Sequence, residues 1–213
     1  MISIVPSSFL KYLCIPIPTL NPKMPLNFEI QAAGPVSGSF AERGIATFEA
    51  AASFVQLLPY RRNRDKDDLL SLFKDGCGTC STKHALLKQL AVELGIEGLQ
   101  LALGLFKMNG QNTPEVASTL GRHGLAYIPE AHCYLKYEGQ RLDFTKPNSS
   151  PADFVDDLLV EIELLPNQIN GFKIDFHKKY LSEWLLENAE HDFTLEALWA
   201  IREQCIKDLA NAS

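Results

Sequence analysis

Residues 75–96 read DGCGTCSTKHALLKQLAVELGI, and the fold is decided in this stretch. A glycine-rich turn, Asp75-Gly76-Cys77-Gly78-Thr79, gives way to a run in which Ala85, Leu86, Leu90, Ala91 and Leu94 recur at helical spacing until Gly95 stops it. The spacing predicts a helix over 81–94, the clearest in the chain, with Cys80 at its start. Unpaired N–H groups and the helix dipole favour negative charge at that end, so a cysteine there gives up its proton below the free-thiol value of ~8.5. The same N–H groups can donate to the oxyanion that forms when a thiolate attacks a carbonyl. Cys80 is therefore a candidate nucleophile, where a lone cysteine elsewhere would be read as a buried structural thiol.

Downstream, the period changes from helical to strand-like: LQLALGLFKM at 99–108, HCYLKYEG at 132–139 and QRLDFT at 140–145, the last two parted by Glu138-Gly139 as in a tight hairpin. Thr113-Pro114-Glu115 predicts a short helix before Gly121. A thiolate nucleophile needs a base on a separate rigid element, and the base needs a third group to fix its tautomer. His132 opens one strand, and Asp143 stands eleven residues later on the next. Antiparallel neighbours bring such side chains together when both face the same side. The order is nucleophile on a helix start, base on a strand, acid on the adjacent strand.

With these pieces in place, GTCSTKHALLKQLAVELGI and EAHCYLKYEGQRLDFT resemble the transglutaminase-like superfamily. That group includes animal transglutaminases, peptide N-glycanases and many microbial proteins, within the broader papain-like cysteine enzymes. The resemblance covers roughly residues 76–145: a cysteine heading a helix that ends in Gly95-Ile96, His132 followed two residues on by the aromatic Tyr134, then Asp143-Phe144-Thr145. It implies an α+β fold, with a papain-like core in which the nucleophile helix packs on an antiparallel sheet. It also implies a Cys80-His132-Asp143 triad performing acyl transfer on an amide or peptide bond, as amidase or protease with water and as transferase with an amine. The chain departs from the family pattern at His84, where a small residue is common, and at Phe144, where proline commonly follows the aspartate. Neither change removes a triad member, and both bear on the shape of the pocket.

Other readings use the same residues. Cys77-Gly-Thr-Cys80 is a C-x-x-C pair, as in a redox dithiol or half of a zinc site. What precedes it is an acidic helix and a Lys74-Asp75-Gly76 turn, where a dithiol motif would have a buried strand. Zinc ligands are present in His84, His132 and Cys133, but a second pair at standard spacing is missing. A non-catalytic module binding peptide or protein on the same fold is the rival from another class. His84 is expected to pack or face solvent, and Trp184 and Trp199 to anchor helices. No calcium loop and no phosphate-cradling glycine pattern is present, so no cofactor and no metal is predicted.

The chain divides into an extended, proline- and serine-rich N-terminal arm (1–40), a transglutaminase-like core (41–165) and a helical C-terminal extension (166–213). Residues 1–23 are expected to lie upstream of a functional start at Met24. FAERGIATFEAAASFVQLLPY predicts a helix ending at Pro59; Asp65–Asp68 lead into a short second one through Leu69, Leu70, Leu72 and Phe73; and Ser150-Pro151-Ala152-Asp153, FHKKYLSEWLLEN and TLEALWAIREQCIKDLA predict three more towards the C-terminus. A length of 213 residues with 46% hydrophobic content suits one main core. Arg61, Arg62 and Arg64 run into Asp65, Asp67 and Asp68, and the net charge is −6, which argues against nucleic acid as partner. Five scattered cysteines fit a reducing compartment, and Pro6, Pro16, Pro18 and Lys11 interrupt the apolar start, so a cytoplasmic protein without signal peptide or membrane span is expected. The expected partner is a peptide, protein or small amide substrate.

Overall fold

Alternation along EAHCYLKY sends Glu130, His132 and Tyr134 to one side of a strand and Ala131, Cys133 and Leu135 to the other, and all of these but His132, which is 14% exposed, are buried. A computed structural model of the protein describes residues 26, 28–188 and 192–212; the segment 1–23 and Met24 lie outside the described residues. In chain order the elements are α1 (Pro35–Ala41), α2 (Phe48–Leu57), α3 (Ser71–Asp75), α4 (Cys80–Glu93), β1 (Gln100–Asn109), α5 (Ala117–Arg122), β2 (Tyr127–Tyr137), β3 (Gln140–Leu142), β4 (Leu158–Leu164), α6 (Gly171–Glu187) and α7 (Leu195–Asn211). The strands form one antiparallel sheet in the order β3-β2-β1-β4, so the fold is α+β.

The β2–β3 hairpin turns at Glu138 and Gly139, both with positive φ, which is the geometry the Glu-Gly pair predicts. In β1, Gly104 lies opposite His132; a Cβ there would come within 2.9 Å of the Tyr134 hydroxyl and 2.7 Å of Leu158, so glycine is what lets Tyr134 reach across β1 to Glu161 on β4.

Helix α4 is buried on nearly every side, with Leu86, Leu87, Leu90 and Ala91 fully enclosed. Each leucine contributes about 1.5–3 kcal/mol of transfer free energy. Polar groups on so enclosed a helix need partners. Lys83, fully buried, donates its ammonium hydrogens to the carbonyls of Leu58 (2.5 Å) and Thr145 (2.7 Å), tying α4 to the end of α2 and to the segment after β3. The side chains of α6 and α7, among them Tyr180, Leu181, Trp184, Leu198 and Ile201, join the same apolar cluster as α4 and β1.

Four expectations need correction. The arm read over 1–40 is not extended to its end: Pro35 begins α1, whose first N–H groups, from Val36 and Ser37, donate to the two carboxylate oxygens of Glu93 at the far end of α4 (3.0 and 2.6 Å). That cap comes from a residue too distant in sequence for local reading. The run from Phe40 to Tyr60 is interrupted by Gly44 in the left-handed region, which separates α1 from α2. Ser150 caps only a 3-10 turn, Pro151–Asp153; after a second such turn the chain becomes β4, where Leu158, Val160, Ile162 and Leu164 alternate. Asp143 itself sits one residue past β3, not on it.

Candidate active site

Glycine 76 ends α3 with a positive φ, and Thr79 then stands in extended conformation as the N-cap of α4, its own N–H donating to Thr82 Oγ1 (2.9 Å). Cys80 is thereby fixed as the first residue of a 14-residue helix. Its Sγ lies 3.9 Å from Ser81 Oγ, which accepts a hydrogen bond from the Lys173 ammonium of α6 (2.7 Å). Burial alone would keep the thiol protonated. The Lys173 charge, the hydrogen bond and charge of His132, and the Cys133 N–H together overcome it and bring the Cys80 pKa to about 6.

His132 presents Nε2 to Asp143 Oδ2 at 2.9 Å, which leaves Nδ1 free for the hydrogen bond that Cys80 makes to the ring. Its ring is held among Phe154, Tyr134 and Phe106, with centroids 4.9, 5.8 and 6.1 Å away. Burial opposes its protonation, but the charge and hydrogen bond of Asp143, and then those of Cys80, raise its pKa well above the ordinary imidazole value. Asp143 in turn accepts the Thr145 N–H (2.9 Å) and hydroxyl (2.5 Å) at Oδ1. Although burial works against its charge, His132 holds its carboxyl well below the usual carboxylate range. Since Thr145 O receives Lys83, the acid is anchored to α4 through its neighbour.

The sequence undervalued His84, which neither faces solvent nor merely packs. Fully buried, it places Nε2 2.8 Å from the Phe144 N–H and Nδ1 2.8 Å from the Cys80 carbonyl, with Asp143 Oδ1 3.6 Å away. An acceptor at Nε2 requires the proton on Nδ1, so the ring is neutral and its tautomer fixed. Burial accordingly lowers its pKa to about 4. The His84 side chain and the Phe144 backbone are thus bonded to each other. The only signal in sequence was that His84 lies one turn after Cys80.

Two cavities meet at Cys80, of about 620 and about 300 Å³, and both are lined by Cys80, Tyr60, Glu130 and Ile206. His132 and Asp143 line only the larger, with Phe106, Met108 and Phe154 as apolar wall. Lys173 and the side chains of α6 and α7 line the smaller. Glu130 is held by a bidentate pair with Arg202 of α7, at 2.7 and 2.5 Å. Neither Arg202 nor Lys173 was singled out by sequence, because their partners stand far away in the chain.

Cys77 lines neither cavity and stays a separate buried thiol, pushed up by burial and by Asp75. The C-x-x-C pair therefore holds two thiols shifted in opposite directions. Among the described residues no group of three or more His, Cys, Asp and Glu is arranged to hold a metal ion, and no helix is long and apolar enough to cross a membrane. Comparison with protein-family models, with curated proteins and with solved structures finds no match to this chain.

Proposed function

We propose that this protein is a cysteine-dependent acyl-transfer enzyme on a transglutaminase-like, papain-like core, acting on an amide or peptide bond. One observation carries the reading: Cys80, at the first position of α4, lines one cavity with His132 and Asp143, whose ring and carboxylate are bonded at 2.9 Å, and with Lys173 the ring draws the thiol pKa down to about 6. Burial by itself would do the reverse, so the arrangement favours a thiolate–imidazolium pair near neutral pH.

In this mechanism the Cys80 thiolate adds to the carbonyl carbon, and the negative charge moves to the oxygen, facing the N-terminal N–H groups of α4. Collapse breaks the C–N bond as His132 gives its Nδ1 proton to the leaving amine, producing a thioester. Water or a second amine, losing its proton to His132, then adds to the thioester and expels the thiolate. Asp143 holds the ring through both steps and His84 holds the segment that carries Asp143.

The test is the pH dependence of iodoacetamide labelling in wild type, Cys80→Ala and His132→Ala, with modified cysteines located by peptide mass mapping. Cys80 is expected to label selectively with a midpoint near 6, and His132→Ala to lower the rate at neutral pH on the order of 10²-fold. A Cys80 no more reactive than Cys205, whose thiol is pushed up to about 12 by burial and by nearby Glu130 and Asp208, overturns the proposal.

A further inference from the structure

The smaller cavity has an electrostatic character opposite to that of the molecule as a whole. Arg62, Lys66, Lys173, Lys178 and Arg202 line it against only Glu130 and Glu203, in a chain of net charge −6. Both carboxylates are already engaged: Glu130 takes Arg202, and Glu203 takes Arg62 at 2.8 Å and Arg202 at 2.7 Å. Of the lysines, Lys173 already answers the charges of Cys133, Cys80 and Glu130, which raise its pKa against burial, whereas Lys66 and Lys178 have no bonded carboxylate. Lys173, buried, has its ammonium on the Ser81 hydroxyl, and Lys178 lies 4.9 Å over the Trp199 ring. Among the described residues no carboxylate lies within ion-pair distance of Lys66, Lys173 or Lys178. Burial and the charges of Arg62, Lys173 and Arg202 hold the Lys66 ammonium below its ordinary pKa, outweighing the opposing charge of Glu203.

The position of this cavity also assigns it a half of the substrate. A leaving amine must stand where His132 can protonate it, and His132 lines only the larger cavity. With Cys80 at the junction, the other side of the scissile carbonyl extends into the smaller, basic one. The geometry points to a substrate whose acyl half carries an anionic group, a carboxylate or phosphate, seated between Lys66, Lys173 and Lys178. The inference rests on the acyl-transfer reading. It deepens that reading by naming a charge class for the acyl donor. Lysine ammonium groups and a volume of about 300 Å³ suit a small oxyanion-bearing group better than an apolar chain.

Two alkylating reagents of nearly equal size separate charge from nucleophilicity. Both iodoacetate and iodoacetamide lose iodide to the Cys80 thiolate as the C–S bond forms, but only iodoacetate carries a carboxylate. Rates are compared well above the Cys80 midpoint, so that both reagents meet a full thiolate, and are referred to glutathione under the same conditions. The iodoacetate-to-iodoacetamide ratio at Cys80 is expected to exceed that of glutathione on the order of tenfold at low salt and to fall as salt rises. Because the proposed His132 imidazolium would itself favour an anion, the deciding arm is the double variant Lys66→Gln/Lys178→Gln. It should lose severalfold of the ratio, while Lys74→Gln, the same charge change at an exposed lysine outside both cavities, should not. Inorganic phosphate and acetate, added as competitors of iodoacetate, assign the anion by whichever protects at lower concentration. A double variant with the wild-type ratio overturns the inference even if iodoacetamide labelling stays fast. Slow iodoacetamide labelling of Cys80 instead brings down the acyl-transfer reading.

Discussion

The second turn of α4 and the middle of β2 each place a histidine against Asp143, and the two rings behave in opposite ways. Their centroids are 6.4 Å apart, yet His84 is lowered to about 4 while His132 is raised well above the imidazole norm. Burial acts on both in the same direction, so the difference lies in what each nitrogen meets. His132 Nε2 meets a carboxylate oxygen at 2.9 Å, whereas His84 Nε2 meets a backbone N–H at 2.8 Å, which a protonated ring could not accept. One carboxylate therefore serves two histidines differently, charging the one it bonds and leaving neutral the one it only approaches. A position 3.6 Å from a carboxylate does not make a histidine cationic when its nitrogen is already an acceptor.

The contrast breaks most severely at the acid. Asp143→Asn removes the charge that raises His132 while keeping the side-chain shape, and the Cys80 thiolate loses the imidazolium that stabilises it. Iodoacetamide reactivity near pH 6 to 7 is expected to drop about 10–100-fold, with the labelling midpoint moving up by about one unit or more. An unchanged profile would mean that Asp143 does not set the charge of His132.

The next effect is on stability and sharpens the contrast from the other side. The folded pKa of His84, about 4, lies below the unfolded value of ~6.5, so the unfolded chain binds this proton first. The sign follows: the contribution is complete above ~6.5 and is lost as pH falls towards 4. His177, lowered to about 4 by burial, adds to the same acid limb. Denaturant titrations across this window should show His84→Gln losing up to roughly 1.4 kcal/mol per pH unit of the wild-type slope, the share of one proton. An identical slope in the two proteins would refute the neutral assignment.

Phe144→Pro is the mildest of these changes: it removes the N–H that His84 accepts and a half-buried phenyl ring. A loss of about 1–2 kcal/mol in chemical denaturation is expected, with Cys80 labelling retained. Loss of labelling with intact folding would show that the His84–Phe144 bond governs the reacting groups directly.

How far these features could be read in advance depended on how local their causes were. His132 and Asp143 were legible because a two-residue turn at Glu138-Gly139 fixes their pairing, and Cys80 because glycines and an apolar period mark the helix start beside it. Helix α1 was not, since its cap comes from Glu93, and β4 was mistaken because Ser150-Pro151 is a true start signal that the chain uses for one 3-10 turn only. His84 was visible as a neighbour of Cys80, but its tautomer depends on a backbone N–H sixty residues away. The basic cavity left no motif, for its cations come from the loop near Lys66 and from two C-terminal helices.

The bond from Lys173 to Ser81 spans 92 residues and joins the start of α4 to a helix made much later in the chain. During synthesis from N- to C-terminus, Cys80, His132 and Asp143 all emerge before the ammonium that does most to lower the thiol pKa. A nascent chain therefore carries a more ordinary thiol until α6 docks, and the reactivity proposed for the site is complete only when the fold that shields it is in place.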